Sequence, residues 1–168
     1  MKLPIYSRVA AATTAAVLIA ALGACATINR PKTASSTGGE NAAKAAAFRY
    51  LFTNNASALN GNAAAYCIGS GSAATPTNPS PELLSLLSDV RPAVQPISAC
   101  RAGERVVDSA GRPALIFNLE TTECDGVTSC VFRGGYQEGN LSASMSMYRA
   151  RFVDGRWQVA QEGPMAIS

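Results

Sequence analysis

The spacing of apolar residues changes once along this 168-residue chain, and that change restricts the folds it can adopt. Between Glu40 and Leu59 the apolar side chains recur every three or four residues, which is typical of an amphipathic helix. From Val94 onward they alternate with polar residues, which is typical of half-buried strands. We therefore expect an α+β domain in which an N-terminal helix packs on a curved antiparallel meander.

Local signals set the bounds of the helices. The helix predicted at 40–59 has a typical C-terminal stop at Gly61. A short helix is predicted at 81–87, with Ser80 as its N-cap. Residues 62–72 fit either a second short helix or a short strand, and the sequence leaves that choice open.

Six strands are expected in the second half, because turn residues separate six alternating segments. These segments are 97–102, 104–108, 114–123, 129–138, 141–153 and 156–162. Gly134-Gly135, inside the fourth segment, indicates a bulge or a sharp bend. On the fifth segment, Met145 and Met147 share one face, opposite the serines that alternate with them.

The beginning of the chain has the features of an export signal. A short basic stretch precedes an uncharged apolar run over 9–21, which is shorter than the about 20 residues that span a bilayer. The run ends in Leu22-Gly23-Ala24-Cys25, which resembles the lipobox of bacterial lipoproteins. An ordinary signal peptide, cleaved before a free thiol, and an uncleaved anchor are the alternatives.

The lipobox resemblance implies that Cys25 receives a diacylglycerol and that the signal is cut just before it. Residues 1–24 would then be the signal peptide, 25–39 a polar flexible tether and 40–168 a single α+β domain. The implied partner is the lipid bilayer, held through acylated Cys25. The protein would be exported and anchored to a bacterial membrane, facing the periplasm, with the outer membrane favoured in a Gram-negative host.

Four further cysteines, Cys67, Cys100, Cys124 and Cys130, form an even set, which indicates two disulfides in an exported protein. Three pairings are possible. We favour Cys124 with Cys130, at the neck of a hairpin, which leaves Cys67 to pair with Cys100. Free thiols and a four-cysteine metal site are the alternatives, although metal-ligand pairs usually lie closer together along a chain.

The chain contains no histidine. Catalytic triads that use histidine, histidine zinc sites and histidine acid–base catalysis are therefore excluded. The formal net charge of +3 provides no basic field, so nucleic acid is not an expected partner. We expect neither a cofactor nor a metal, and we predict that the protein is not an enzyme.

The order of the elements, over about residues 40–163, resembles that of NTF2-like and cystatin-like domains. The segment 148–159, in which an Asp154-Gly155 turn joins two strands and Trp157 leads the second, is similar to the closing hairpin of many NTF2-like domains. The resemblance implies a curved sheet that forms a cone able to hold a small molecule. The alternative fold is a small β-barrel of the lipocalin type.

Six side chains are candidates for the wall of such a cone: Tyr66, Tyr136, Met145, Met147, Tyr148 and Trp157. Packing in the core is the alternative role for these tyrosines and methionines. Glu120, Glu123 and Asp125 are candidates for an acid–base or cation site, or else a solvated strand end. Arg149 and Arg151 are candidates for binding an anion, or else part of a wet outer face.

Three functions are compatible with these features. The first is a lipid-anchored envelope protein that acts as a non-enzymatic interaction module for another envelope protein. The second is a small-molecule binding protein that uses the cone of an NTF2-like domain. The third is an enzyme, which would need a buried carboxylate with a raised pKa beside a tyrosine or an arginine.

Overall fold

Helix α1 lies against one face of a six-stranded sheet in the computed structural model, which describes residues 39–167. The elements are α1 (Glu40–Thr53), β1 (Tyr66–Ser70), α2 (Pro81–Leu86), β2 (Val94–Pro96), a 3-10 turn (Ile97–Ala99), β3 (Cys100–Arg101), β4 (Val107–Asp108), β5 (Leu115–Cys124), β6 (Ser129–Gly139), β7 (Ser142–Val153) and β8 (Arg156–Ile167). Within this range, neither α-helix has the length and hydropathy needed to cross a bilayer. The expected signal peptide, Cys25 and residues 26–38 of the expected tether lie outside the described residues.

The six-stranded sheet has the order β2-β1-β5-β6-β7-β8. Strands β5 to β8 form an antiparallel meander, whereas β1 pairs in parallel with both β2 and β5. The sheet is curved and open, with β2 and β8 as its edges. The expected α+β class is confirmed, and the alternative of a closed barrel is wrong. The predicted antiparallel meander is present as β5 to β8, whereas the parallel pairing of β1 was not predicted. The chain crosses over through α2 between β1 and β2.

The four long strands β5 to β8 lie where the alternating pattern predicts them. The predictions of the first two strands are mostly wrong. Residues 97–102 form the 3-10 turn and the two-residue β3, and 104–108 contributes only the two-residue β4. These two short strands pair with each other, outside the six-stranded sheet, so few backbone hydrogen bonds stabilise them.

Helix α1 ends at Thr53, earlier than the apolar spacing predicts. Asn54 follows as the C-cap, and the side-chain amides of Asn54 and Asn55 donate to helix carbonyls at 2.8 and 3.1 Å. Asparagine side chains compete with the backbone for such acceptors. The helix therefore stops although the apolar spacing continues beyond it.

The other local predictions concern α2 and residues 62–72. Helix α2 begins after Ser80, as predicted, and the Ser80 hydroxyl accepts a hydrogen bond from the Leu83 amide at 3.2 Å. Residues 66–70 form strand β1, which decides the choice that the sequence left open.

The main core lies between α1 and the sheet. Phe48 and Phe52 of α1 are buried there, and the Phe52 ring stacks on Tyr66 with 4.8 Å between centroids. Phe117 of β5 meets the Phe52 ring edge-on at 4.9 Å. Aromatic pairs of this kind contribute about 0.5–1.5 kcal/mol beyond the area they bury. The space between α1 and the sheet is therefore filled by side chains.

Residues 97–114, which we call the cap segment, cover part of the opposite face of the sheet, which we call the outer face. Val106 of this segment is fully buried against the sheet in a second, smaller core. The sheet thus has a covered region on each of its two faces, and only the α1 face has a continuous aromatic core.

Two cysteine pairs are joined as disulfides. Cys67 of β1 is joined to Cys100 of the cap segment, and Cys124 is joined to Cys130 across the β5–β6 hairpin. This is the pairing that the sequence favoured. The first disulfide attaches the cap segment to the sheet, and the second closes one hairpin.

Of the bulge or sharp bend predicted at Gly134-Gly135, the bulge is wrong, since the pairing register is regular through both residues. Their role is to allow close approach of the backbone. A Cβ atom at Gly134 would overlap the carbonyl oxygen of Asn118, and one at Gly135 would overlap that of Ser144. The register shifts of the meander lie elsewhere, between Thr121 and Glu123 for example.

Candidate ligand-binding cavity

A cavity of about 510 Å³ lies on the outer face of the sheet, next to the cap segment. Its lining is mostly apolar and comes from β5, β6, β7, the cap segment and the loop after β1. Cavities of about 300–1,000 Å³ with a few polar groups are typical of small-molecule sites. This cavity lies on the opposite side of the sheet from α1.

Three adjacent strands form the cavity floor. Alternate residues of a strand point to opposite faces, so Ile116 and Asn118 point away from the α1 core that holds Phe117. Asn118 pairs with Gly135 of β6, which in turn pairs with Met145 of β7. Because Gly135 has no side chain, nothing projects into the cavity at the centre of its floor, between Asn118 and Met145.

The walls come from two irregular segments. Ile97, Cys100 and Ala102 belong to the cap segment, and Ala73 and Pro76 belong to the loop after β1. The Cys67–Cys100 disulfide fixes the first wall to β1. The shape of the cavity therefore depends on a covalent link as well as on packing.

Asn118 is a polar side chain within this apolar lining, and it is 9% exposed. Its Nδ2 donates to the Gly71 carbonyl at 2.6 Å, which sets the orientation of the amide. Its Oδ1 is buried, with no hydrogen-bond partner among residues 39–167. An unsatisfied buried acceptor costs about 1–3 kcal/mol. A water molecule or a ligand donor that reached Oδ1 would relieve that cost.

Two of the six predicted wall residues, Met145 and Tyr136, line this cavity, and Tyr136 also belongs to the α1 core, with its ring 6.4 Å from that of Phe117. Tyr66 and Tyr148 are buried in the α1 core, where burial raises the pKa of Tyr148 to about 12. Trp157 packs at the margin of the same core, with its ring 5.4 Å from that of Phe152. Tyr66 and Tyr148 therefore take the alternative role of core packing, and Trp157 packs against the same core.

The faces of β7 differ from what side-chain hydropathy suggests. Ser144 and Ser146 are buried on the α1 side, whereas Met145 and Met147 are half-buried on the outer face. Ser144 pairs with Tyr136, so this small side chain lies beside a bulky aromatic ring of the neighbouring strand. The alternative of core packing is therefore wrong for both methionines, and Met147 does not line the cavity.

The three candidate acidic residues lie on β5 and in the turn that follows it. Within residues 39–167, no group of three or more acidic or cysteine side chains is arranged to hold a metal ion. Asp125 accepts hydrogen bonds from the Thr128 hydroxyl and from backbone amides of its own turn, and these bonds hold its pKa well below the usual range. Glu120 is half-buried and Glu123 is exposed at the end of β5, as expected for a solvated strand end.

The two candidate arginines lie on the outer face, away from the cavity lining. Arg149 donates to the Glu162 carboxylate at 2.6 Å, and this contact lowers the pKa of Glu162. Arg151 is exposed. Part of the positive charge on this face is therefore already neutralised.

Ile97, Ile116, Asn118 and Gln137 line the cavity although the sequence did not identify them. The only sequence signal was the unbroken apolar run at 114–117, which indicates a strand covered on both faces and concerns Ile116 alone. Comparisons of the chain with protein-family models, with curated proteins and with solved structures found no match. The function of the domain is therefore inferred from the geometry of the cavity.

Proposed function

We propose that this chain is a lipid-anchored protein of a bacterial envelope and that its domain is a non-enzymatic binding module for a small apolar molecule. The single observation that carries the binding proposal is the apolar cavity of about 510 Å³ on the outer face. Its volume suits a drug-sized molecule. Asn118 and Gln137 supply polar atoms that would orient a ligand.

The envelope location is supported by the Leu22-Gly23-Ala24-Cys25 motif and by the two disulfides. Disulfides persist in oxidising compartments outside the cytosol. Two or more acyl chains on Cys25 would suffice for stable membrane attachment. The domain would then face the periplasm, with the outer membrane as the favoured site in a Gram-negative host.

The binding proposal is tested with a neutral apolar fluorophore such as N-phenyl-1-naphthylamine. We expect saturable binding to the wild-type protein. Ala143→Trp should abolish it, because Ala143 lines the cavity and the indole would fill it. Ala110→Trp, which places the same side chain on an exposed turn, is the matched control. Equal binding by the two variants would contradict the proposal.

The anchor is tested by mass spectrometry of the full chain made in a bacterial host. We expect a mature protein that begins at Cys25 and carries the mass of its acyl chains. Cys25→Ala should remove those acyl chains and release the protein from membranes. A wild-type protein without acyl chains would contradict the anchor but leave the cavity proposal untouched.

A second candidate function is interaction with another envelope protein. The observation that favours it is Leu141, which is 91% exposed at the β6–β7 turn beside the apolar side chains Ala56 and Leu59. A photo-crosslinking residue at 141 should capture a specific protein. The same group at Val127, which is 64% exposed at the opposite hairpin, should not capture that protein.

We also propose that the domain is a divergent relative of the NTF2-like or cystatin-like folds. The supporting features are one helix against a curved meander and the closing Asp154-Gly155 hairpin. The parallel position of β1 beside β5 would be its main departure. An experimental structure superimposed on members of both folds would test the relationship.

No catalytic step is part of the proposed function. An acid–base enzyme would need a carboxylate with a raised pKa beside a tyrosine or an arginine. The carboxylates with shifted pKa values in the described residues are Glu40, Asp89, Asp108, Asp125 and Glu162, and all of these pKa values are lowered.

A further inference from the structure

Strand β8 presents a long edge of the six-stranded sheet, and the opposite edge is poorly suited to pairing. Strand β2 has three residues and ends in Pro96, which lacks an amide proton. No strand within residues 39–167 pairs with the far side of β8. Its regular part is 156–162, because Gly163 has φ of 78° and Pro164 follows. Long unprotected edges are templates for another strand.

The β7–β8 hairpin decides which backbone groups of β8 face outward. Asp154 and Gly155 form a two-residue turn with φ values of 51° and 77°, which is typical of a tight hairpin. Val153 and Arg156 are therefore the hydrogen-bonded pair that closes the turn. The backbone groups of Arg156 point toward β7, and those of the next residue point away from it.

A hydrogen bond on the other side of β7 agrees with this alternation. Phe152, which lies opposite Trp157, donates its amide to Thr128 at 2.8 Å and so turns it away from β8. Because the direction alternates along an antiparallel strand, the amides and carbonyls of Trp157, Val159 and Gln161 face outward. These three residues form the pairing edge of β8.

We propose that a second copy of this chain pairs with this edge, antiparallel, around a two-fold axis through Val159. Val159 then faces its own counterpart, and Trp157 faces Gln161 of the other copy. Every outward amide of the pairing edge meets an outward carbonyl, so the two meanders join into one continuous sheet. Isologous contacts of this type are the commonest way in which proteins form dimers.

The side chains of β8 are self-complementary in this register. Arg156 lies opposite Glu162 of the other copy and would join Arg149, which already contacts that carboxylate, so each dimer contains two such clusters of opposite charge. Within the described part of the chain, no carboxylate lies within salt-bridge distance of Arg156. On the α1 side, Trp157 and Val159 are only partly buried at the margin of the core, and the second copy would cover them.

This charge pattern is the reason for choosing a second copy over an unrelated strand. Any extended peptide could satisfy the outward amides of the edge. A strand that also places a carboxylate opposite Arg156 and an arginine opposite Glu162 is supplied by the chain itself. The proposed dimer does not depend on the cavity, so a failure to bind an apolar ligand would leave the dimer proposal untouched.

The test uses the full chain in a non-ionic detergent, with sedimentation and amide hydrogen exchange measured over a range of concentrations. We expect a reversible dimer in which the amides of Trp157, Val159 and Gln161 become protected as concentration rises. The amides of Gln158 and Ala160 face β7 and should be protected at every concentration. Salt should weaken the dimer, because it screens the charge pairs.

Val159→Pro removes an outward amide without removing a bond of the β7–β8 ladder. We expect it to weaken the dimer about 10- to 100-fold, since each dimer loses two hydrogen bonds. Val159→Thr keeps the amide and the β-branched shape, and it is the matched control. Arg156→Glu, which leaves the backbone unchanged, should weaken the dimer about 10-fold and so tests the register if the proline variant does not fold.

Three results would overturn the inference. The first is a monomer whose pairing-edge amides exchange rapidly at all concentrations. The second is protection of those amides in a monomer, which would mean that residues 1–38 cover the edge. The third is a dimer of unchanged affinity in both Val159→Pro and Arg156→Glu, which would mean that the copies associate through another surface.

Discussion

Asp108 shows how one side chain can organise a turn of the cap segment. It is 1% exposed, and its carboxylate accepts hydrogen bonds from the backbone amides of Arg112 and Ala110, each at 2.9 Å. The Arg112 side chain adds a salt bridge at 2.8 Å. These contacts, led by the Arg112 amide, hold the pKa of Asp108 below its usual value.

This lowered pKa predicts a pH dependence of stability. A carboxyl group whose pKa is lower in the folded state stabilises the fold above its unfolded pKa of about 3.9, and that contribution is lost as the pH falls through the folded pKa. Asp108→Asn should therefore be less stable than wild type at pH 7, and the difference should shrink below about pH 4. Urea unfolding at pH 7, 4 and 3 measures it. A constant difference down to pH 2 would contradict the prediction.

At the scale of elements, the contact between β6 and β7 depends on Gly135, where the backbones approach closely. Gly135→Ala should reduce the free energy of unfolding by about 1–3 kcal/mol, because the new methyl group overlaps the Ser144 carbonyl oxygen. Gly103→Ala is the control, since its Cβ would meet no atom closer than 3.7 Å. Thermal or urea unfolding measures the stability of both variants. An equal loss of stability in Gly135→Ala and Gly103→Ala would contradict the prediction.

The cap segment is the element that the Cys67–Cys100 disulfide controls. Replacing both cysteines by serine should cost about 2–4 kcal/mol and weaken binding of an apolar fluorophore, because Cys100 lies in a cavity wall. Replacing Cys124 and Cys130 opens a shorter loop, remote from the cavity, and should leave that binding intact. Equal loss of binding in both double variants would contradict the assigned role of the cap segment.

For the whole molecule, the two faces of the sheet have different roles. The α1 face is filled by aromatic side chains, and the outer face holds the cavity. An apolar ligand at about 100 times its dissociation constant should therefore raise the free energy of unfolding by about 2.7 kcal/mol. Ala143→Trp should not respond to the ligand, whereas Ala110→Trp should respond as wild type does. Calorimetry of both variants with the same fluorophore provides the measurement.

The sequence predicted the elements whose signals are local. Alternation of apolar and polar residues placed β5 to β8, and Ser80 marked the start of α2. The closeness of Cys124 and Cys130 along the chain suggested the hairpin disulfide, which left Cys67 to pair with Cys100. Apart from the Cys67–Cys100 pair, which followed by elimination, these features depend on neighbours within a few residues, so a single sequence contains the information.

The tertiary structure alone decided the parallel pairing of β1 and the side of the sheet that holds the cavity. The cavity needs Ile97, Asn118 and Met145, which lie on three separate elements and meet only when the sheet and the cap segment assemble. The burial of Ser144 in place of Met145 has a similar origin, because the bulky Tyr136 side chain on the neighbouring strand β6 determines which side chain fits beside it. Such choices depend on contacts between residues distant in sequence, which local periodicity does not encode.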